Sequence, residues 1–118
     1  MPTVKFRVDE VSDSIIPSIQ HVRGSGEGVE VLVEVSEKLG LKYKVGENLI
    51  LRFTKNKPKD YTKNDYCGKA FLFSIKEKDG DKIYLFSVGG LIIRLKTKKK
   101  IRDLNIAEEY YFCVYRER

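Results

Sequence analysis

Few residues in this chain are equipped for covalent or metal chemistry, and that scarcity narrows the function first. There is one histidine, His21, and there are two cysteines, Cys67 and Cys113. A structural zinc site needs four nitrogen or sulfur ligands, and no Cys-x-x-Cys pair is present to begin one. Catalytic arrangements built on two imidazoles are excluded by count. A disulfide between Cys67 and Cys113 is geometrically allowed, but such bonds are rare in reducing compartments. The expectation is therefore two small apolar residues within strands. Neither a Gly-x-Ser-x-Gly nor a Gly-x-x-x-x-Gly-Lys motif occurs. Gly24-Ser25-Gly26-Glu27-Gly28 is glycine-rich, but no helix follows it to present amides to a phosphate, so it reads as a flexible hairpin loop. No catalytic, cofactor-binding or metal-binding residue is assigned.

The chemistry that remains is cationic. The formal net charge is +6, and it is unevenly spread. Residues 55–102 hold 14 Lys and Arg against 5 Asp and Glu, a local net of +9, while both flanks are slightly negative. One cluster is Lys55, Lys57, Lys59 and Lys63, interleaved with Tyr61 and followed by Tyr66; the other is Lys96, Lys98, Lys99, Lys100 and Arg102. Either run suits an anionic partner, a nucleic-acid backbone or an acidic protein surface. The competing reading is a solvated Lys- and Glu-rich surface of the thermophile kind. Basic residues mixed with aromatics match the pattern for stacking single-stranded bases. The strand phenylalanines, however, are expected in the core, which argues against autonomous nucleic-acid binding.

The elements that position these residues are strands. The length, 118 residues, suits one domain spanning 1–118 and burying about two-thirds of its unfolded surface. The longest charge-free stretch, residues 83–93, is far short of the ~18 apolar residues of a membrane helix. The N-terminus lacks a basic region followed by an apolar one. A soluble, cytoplasmic protein is expected. Apolar residues recur with period two: Val4, Phe6 and Val8; Val29, Val31, Val33 and Val35; Leu49, Leu51 and Phe53. Each set fits a half-buried strand. Residues 15–22 read as an edge or irregular strand because Pro17 lacks an amide donor. Residues 36–46 suit a short helical turn ended by Gly40.

Asp79-Gly80 is a two-residue hairpin turn of the kind that needs positive φ at both central positions. Folding there places Ile75 opposite Tyr84, Phe73 opposite Phe86 and Phe71 opposite Val88, all on the core face, with Glu77 across from Lys82. Gly89-Gly90 serves as a second such turn, setting Val88 against Leu91, Phe86 against Ile93 and Tyr84 against Leu95. The alternative is that these glycines bend one long strand at a barrel corner. The last strand, Glu109–Arg116, carries Tyr110, Phe112 and Val114 on one face and Tyr111, Cys113 and Tyr115 on the other. Apolar residues on both faces imply burial on two sides or an interface. The fold expected is all-β: a small antiparallel β-barrel of seven to eight strands, OB-fold-like, with no long helix.

Three segments now share one pattern: Asn64-Asp65-Tyr66-Cys67-Gly68; Ser87-Val88-Gly89-Gly90-Leu91-Ile92-Ile93-Arg94-Leu95; and Leu104-Asn105-Ile106 leading into Tyr110-Tyr111-Phe112-Cys113-Val114. In this order they resemble the G-subunit family of archaeal DNA-directed RNA polymerase, counterpart of the eighth subunit shared by the three eukaryotic nuclear polymerases. The Ser-x-Gly-Gly-Leu-x-x-Arg-Leu run is the most specific part. The resemblance covers residues 52–116; residues 1–51 add only strand pattern and length. It implies an eight-stranded barrel related to the OB fold. It also implies a non-catalytic subunit docked on the largest polymerase subunit, supporting assembly or stability. The family's long loop before the strand at Tyr66 is short here, residues 55–65.

Two surfaces are candidates for that docking. Gly89, Gly90 and Leu91 allow close backbone approach, and Arg94 suits a bidentate carboxylate contact. Tyr111 and Tyr115 offer an amphipathic strand face. The rival reading is a free-standing OB-type protein binding single-stranded nucleic acid through residues 55–63 and 96–102.

Overall fold

A computed structural model of the chain describes residues 2–117. Its eight strands are β1 (Thr3–Asp13), β2 (Ile19–Gly26), β3 (Val29–Ser36), β4 (Asn48–Thr54), β5 (Tyr66–Lys78), β6 (Asp81–Val88), β7 (Leu91–Thr97) and β8 (Glu109–Arg116). They form a closed barrel in the order β1-β2-β3-β7-β6-β5-β8-β4, with β4 returning to β1. Every neighbouring pair is antiparallel. The only helical piece among the described residues is one 3-10 turn, Glu37–Leu39. Gly40 ends it at φ 71, as the sequence suggested, and Ser36 caps it with its hydroxyl.

Period-two alternation fills the interior. Val4, Phe6 and Val8 of β1, Val31 and Val33 of β3, Leu49, Leu51 and Phe53 of β4, and Ile93 and Leu95 of β7 are all buried. Phe53 stacks on Phe86 with ring centroids 4.5 Å apart, and Tyr110 meets Phe53 edge-on. Since β8 and β5 separate β4 from β6 in the barrel order, that stack bridges the interior and does not run along one sheet. The connection from β7 to β8 folds back onto the same core. Leu104 is buried there, and the Ile101 amide donates to the Tyr84 hydroxyl.

Both hairpin turns form where the sequence placed them. Asp79 and Gly80 have φ 53 and 83, and Gly89 and Gly90 have φ 54 and 91. The β6–β7 register matches the expectation: Val88 faces Leu91, Phe86 faces Ile93 and Tyr84 faces Leu95. Glu77 pairs with Lys82 and the two side chains form an ion pair.

Four expectations need correction. First, Phe73 does not oppose Phe86. A β-bulge between Leu72 and Ser74 leaves Phe73 as an extra residue, so Leu72 faces Phe86 and Phe71 faces Ser87. Leu72 and Ala70 fill the core, while Phe71 and Phe73 are 42% and 43% exposed. Ile75 does face Tyr84 but stays exposed, because β5 has no second neighbour there. Second, Cys67 and Cys113 are disulfide-bonded. They stand directly opposite across the β5–β8 ladder, Cα atoms 4.1 Å apart, which is the closest kind of cross-strand pair. Both lie in strands as expected, but Cys113 alternates with the core residues Phe112 and Val114 and so faces outward. Third, residues 24–28 are not a loose loop. β2 runs through Gly26, and only Glu27 and Gly28 turn. A Cβ on Gly24 or Gly26 would sit 2.3 or 2.1 Å from a β1 carbonyl oxygen, so these glycines exist for strand contact. Fourth, residues 14–18 are a turn; Ile15 and Ile16 are exposed and β2 begins only at Ile19.

The corrected register is directly testable. Phe86→Ala, which empties the central ring stack, is expected to cost about 3–5 kcal/mol in chemical denaturation. Phe73→Ala, on the bulge, should cost less than about 1 kcal/mol. Equal losses at the two sites contradict the bulge.

Candidate docking surface

The outer face of β8 comes first, since its apolar residues have no place in the core. The connection from β4 to β5, residues 55–65, leaves Thr54 beside Tyr111 and re-enters at Tyr66 beside Val114. It therefore runs along the outside of β8 as a strap. Asp60 accepts a hydrogen bond from the Tyr115 hydroxyl at 2.7 Å, and the Arg52 guanidinium lies 5.4 Å from that ring. Asp65, buried at the strap's far end, accepts from the Thr62 and Arg116 amides. The Arg116 side chain ties in the neighbouring loop, pairing with Glu47, donating to the Lys42 carbonyl and lying over the Tyr43 ring. Beneath the strap, Cys113 is buried in the disulfide and Tyr115 is 8% exposed. Burial first, and the Asp60 carboxylate second, push the Tyr115 hydroxyl up to about 12.

The sequence-chosen residues fall in separate places. Gly89 and Gly90 are exposed at the β6–β7 turn, and a Cβ on either would meet no atom within 4 Å. Their positive φ values account for both glycines. Leu91 is half-buried beside them. Arg94 lies on the outside of β7 between Leu32 and Leu85 in register, and it makes no ion pair among the described residues. β6 and β5 stand between this strand and β8, so Arg94 and the tyrosines are not one patch. Tyr111 is half-buried with the Lys69 ammonium 5.5 Å from its ring. Tyr115 is engaged by the strap.

The two basic runs are partly neutralised at home. Lys55 pairs with Glu108 at 2.8 Å and sits 4.2 Å over the Tyr110 ring. Those contacts with Lys55 and Tyr110 hold the Glu108 carboxyl below the usual carboxylate range. Lys96 lies near Glu30 and Asp81, and Lys98 near Asp81. Lys57, Lys59, Lys63, Lys99, Lys100 and Arg102 are exposed and make no such pair among the described residues. Tyr61 shares a surface hollow with Lys57 and Lys59.

One surface was missed from sequence. Phe71, Phe73, Ile75 and Ile106 are all exposed, and the backbone of Ala107 is bonded to Leu72, which brings Ile106 alongside. Two interleaved apolar sets occupy β5, and the bulkier one was assigned inward. Counting by twos from Tyr66 finds the true core face: Gly68, against the Phe112 ring, then Ala70 and Leu72.

Fold and surface together define a small, disulfide-linked antiparallel β-barrel whose exterior is strapped on one side and bears uncovered aromatic residues on another. The model of the family of DNA-directed RNA polymerase G subunits matches residues 1–117. The chain belongs to that family and is a subunit of a DNA-directed RNA polymerase, part of a nucleotidyltransferase complex. The match takes in residues 1–51, where the sequence motifs were silent. No curated protein sequence matches the chain.

Two measurements check this surface. The absorbance assigned to Tyr115, taken as the difference between the parent and Tyr115→Phe, should rise around pH 12, with Asp60→Ala moving it lower. The neutral ring is favoured by folding, so its contribution is complete below pH ~10 and fades as pH climbs through about 12. Second, Cys67→Ala/Cys113→Ala should lose about 2–4 kcal/mol, since the bond closes a loop of separation 46.

Proposed function

We propose that this chain is a non-catalytic subunit of an archaeal, cytoplasmic RNA polymerase that docks on the largest subunit and supports assembly or stability of the transcription complex. Membership of the G-subunit family over residues 1–117 carries this reading. The organisation of the surface supports it. Lys55, Lys96 and Lys98 are held by the chain's own carboxylates, which leaves a patchwork of charge and apolar ribbon. A patchwork suits a protein partner better than a continuous cationic track does. Arg94, on the outside of β7 and without an ion pair among the described residues, is the side chain best placed for a carboxylate of the large subunit.

A second reading has one observation behind it: Tyr61 is exposed beside Lys57 and Lys59. This is a free-standing barrel that binds single-stranded nucleic acid through residues 55–63 and 96–102.

Co-purification of the tagged chain from native lysate separates them. The subunit reading expects the polymerase large subunits to be retained, and Arg94→Glu to weaken their recovery about tenfold. The nucleic-acid reading expects oligonucleotide binding that survives moderate salt and falls about tenfold with Tyr61→Ala. Absence of polymerase subunits from the retained material defeats the proposal.

A further inference from the structure

The β5–β6 hairpin leaves a strand edge uncovered. β5 pairs with β8 from Tyr66 to Phe71, and the last backbone bonds on that side join Leu72 to Ala107 and Glu108. From Phe73 to Lys78 β5 is bonded only to β6; among the described residues nothing covers its other side. An open edge of this length is a template for another strand. The side chains beside it are apolar: Phe73 and Ile75 on the edge, Phe71 just before it, and Ile106 next to it on the segment leading into β8. Residues 9–13 of β1 are also paired on one side only, with β2, but their side chains are Asp9, Glu10, Ser12 and Asp13 around a half-buried Val11. Among the described residues the β5 edge is therefore the one flanked by exposed apolar side chains.

The charge around the edge selects the occupant. Lys76 and Lys78 are exposed and make no ion pair among the described residues, whereas Glu77 between them is held by Lys82. The ribbon's unpaired charge is therefore net positive, Lys76 and Lys78 against the turn residue Asp79. Two copies pairing edge to edge would bring these lysines together, a like-charge arrangement that opposes self-association. An acidic, apolar segment has the opposite preference.

We propose that the edge formed by residues 73–78 is the site where an extended segment of another polymerase subunit, carrying alternate apolar and acidic residues, adds a strand to this barrel. This rests on the chain's place in the polymerase and goes further, naming the edge and the chemistry of what it binds. The added strand continues the track of residues 105–108 along β5. Its backbone satisfies the open amides and carbonyls, its apolar residues cover Phe73 and Ile75, and its carboxylates meet Lys76 and Lys78.

Hydrogen exchange on the full chain, free and within polymerase reconstituted from all its subunits, tests this. Protection of amides in residues 73–78 should rise at least tenfold on assembly. Two variants, Lys76→Glu/Lys78→Glu and Phe73→Ser/Ile75→Ser, should keep the parent's thermal unfolding and lower incorporation about tenfold. A chain that incorporates normally while residues 73–78 exchange as fast as in the free state overturns the edge proposal and leaves the subunit reading intact. A chain that never incorporates overturns both. Edge protection that appears in the free chain on dimerisation, or on adding a single-stranded oligonucleotide in place of the other subunits, assigns the edge to those ligands and also overturns the proposal.

Discussion

The change of neighbours along β5 is the constraint on which the outer surface depends. Up to Leu72 the strand lies between β6 and the β8 track, and it alternates as a barrel strand must, with Tyr66, Ala70 and Leu72 inward. Beyond that point one neighbour is gone. The bulge at Phe73 falls at this junction, where a ladder constrained on two sides becomes a two-stranded ribbon free to twist. It has two effects. It restores the Ile75–Tyr84 pairing that the Asp79-Gly80 turn demands, and it moves the phenylalanines out of the core. Without the extra residue, the turn's register and the barrel's inward set would be one residue out of step.

β8 presents the reverse case, a strand with too much cover. Its inner residues Tyr110, Phe112 and Val114 are core, and on its outer face Tyr115 lies under the β4–β5 strap. A strap adds a third layer locally, so a strand of a small barrel acquires the two-sided burial of a larger domain. The disulfide links β8 to β5 under that layer. Arg116 then fastens the strap's end to the loop after the 3-10 turn through Asn64, Glu47 and Lys42. A tyrosine ring that composition alone marks as available for docking is thus consumed by the chain's own loop.

Most of the barrel was legible in the sequence because turn chemistry and alternation gave the same answer. Asp79-Gly80 and Gly89-Gly90 fixed two hairpins, and the valines of β3 and the Leu-Leu-Phe series of β4 fixed the inward faces. The β5 face was not legible: both of its alternating sets are apolar, and periodicity cannot choose between them. A bulge leaves no local mark stronger than the residues around it. Gly24 and Gly26 were misread for a related reason. Glycine marks both loops and close strand approach, and only β1 crossing at van der Waals distance tells them apart. The disulfide was hidden by the question of compartment, which no spacing answers. Of the candidate surface residues, Arg94 is half-buried and Lys57, Lys59, Lys63, Lys99, Lys100 and Arg102 are exposed, none with an ion pair among the described residues. Nothing in the sequence set Tyr115 and Lys55, which the chain's own carboxylates engage, apart from them.

Charge runs show the same gap between sequence and surface. The segment from 55 to 102 is strongly basic as written, but folding brings Asp81 to Lys96 and Lys98, Glu108 to Lys55 and Glu77 to Lys82. Exposed pairs of this kind add little stability; their larger effect is to break a continuous positive field into separate points. A polyanion gains from many phosphate contacts made together, so breaking the track weakens that mode more than it weakens one carboxylate meeting one arginine. The uncovered phenylalanines add to the asymmetry. A contiguous apolar ribbon on a free protein invites aggregation, whereas on a subunit held in an assembly it is buried for most of the molecule's life. Both features favour a surface shaped for fixed protein neighbours.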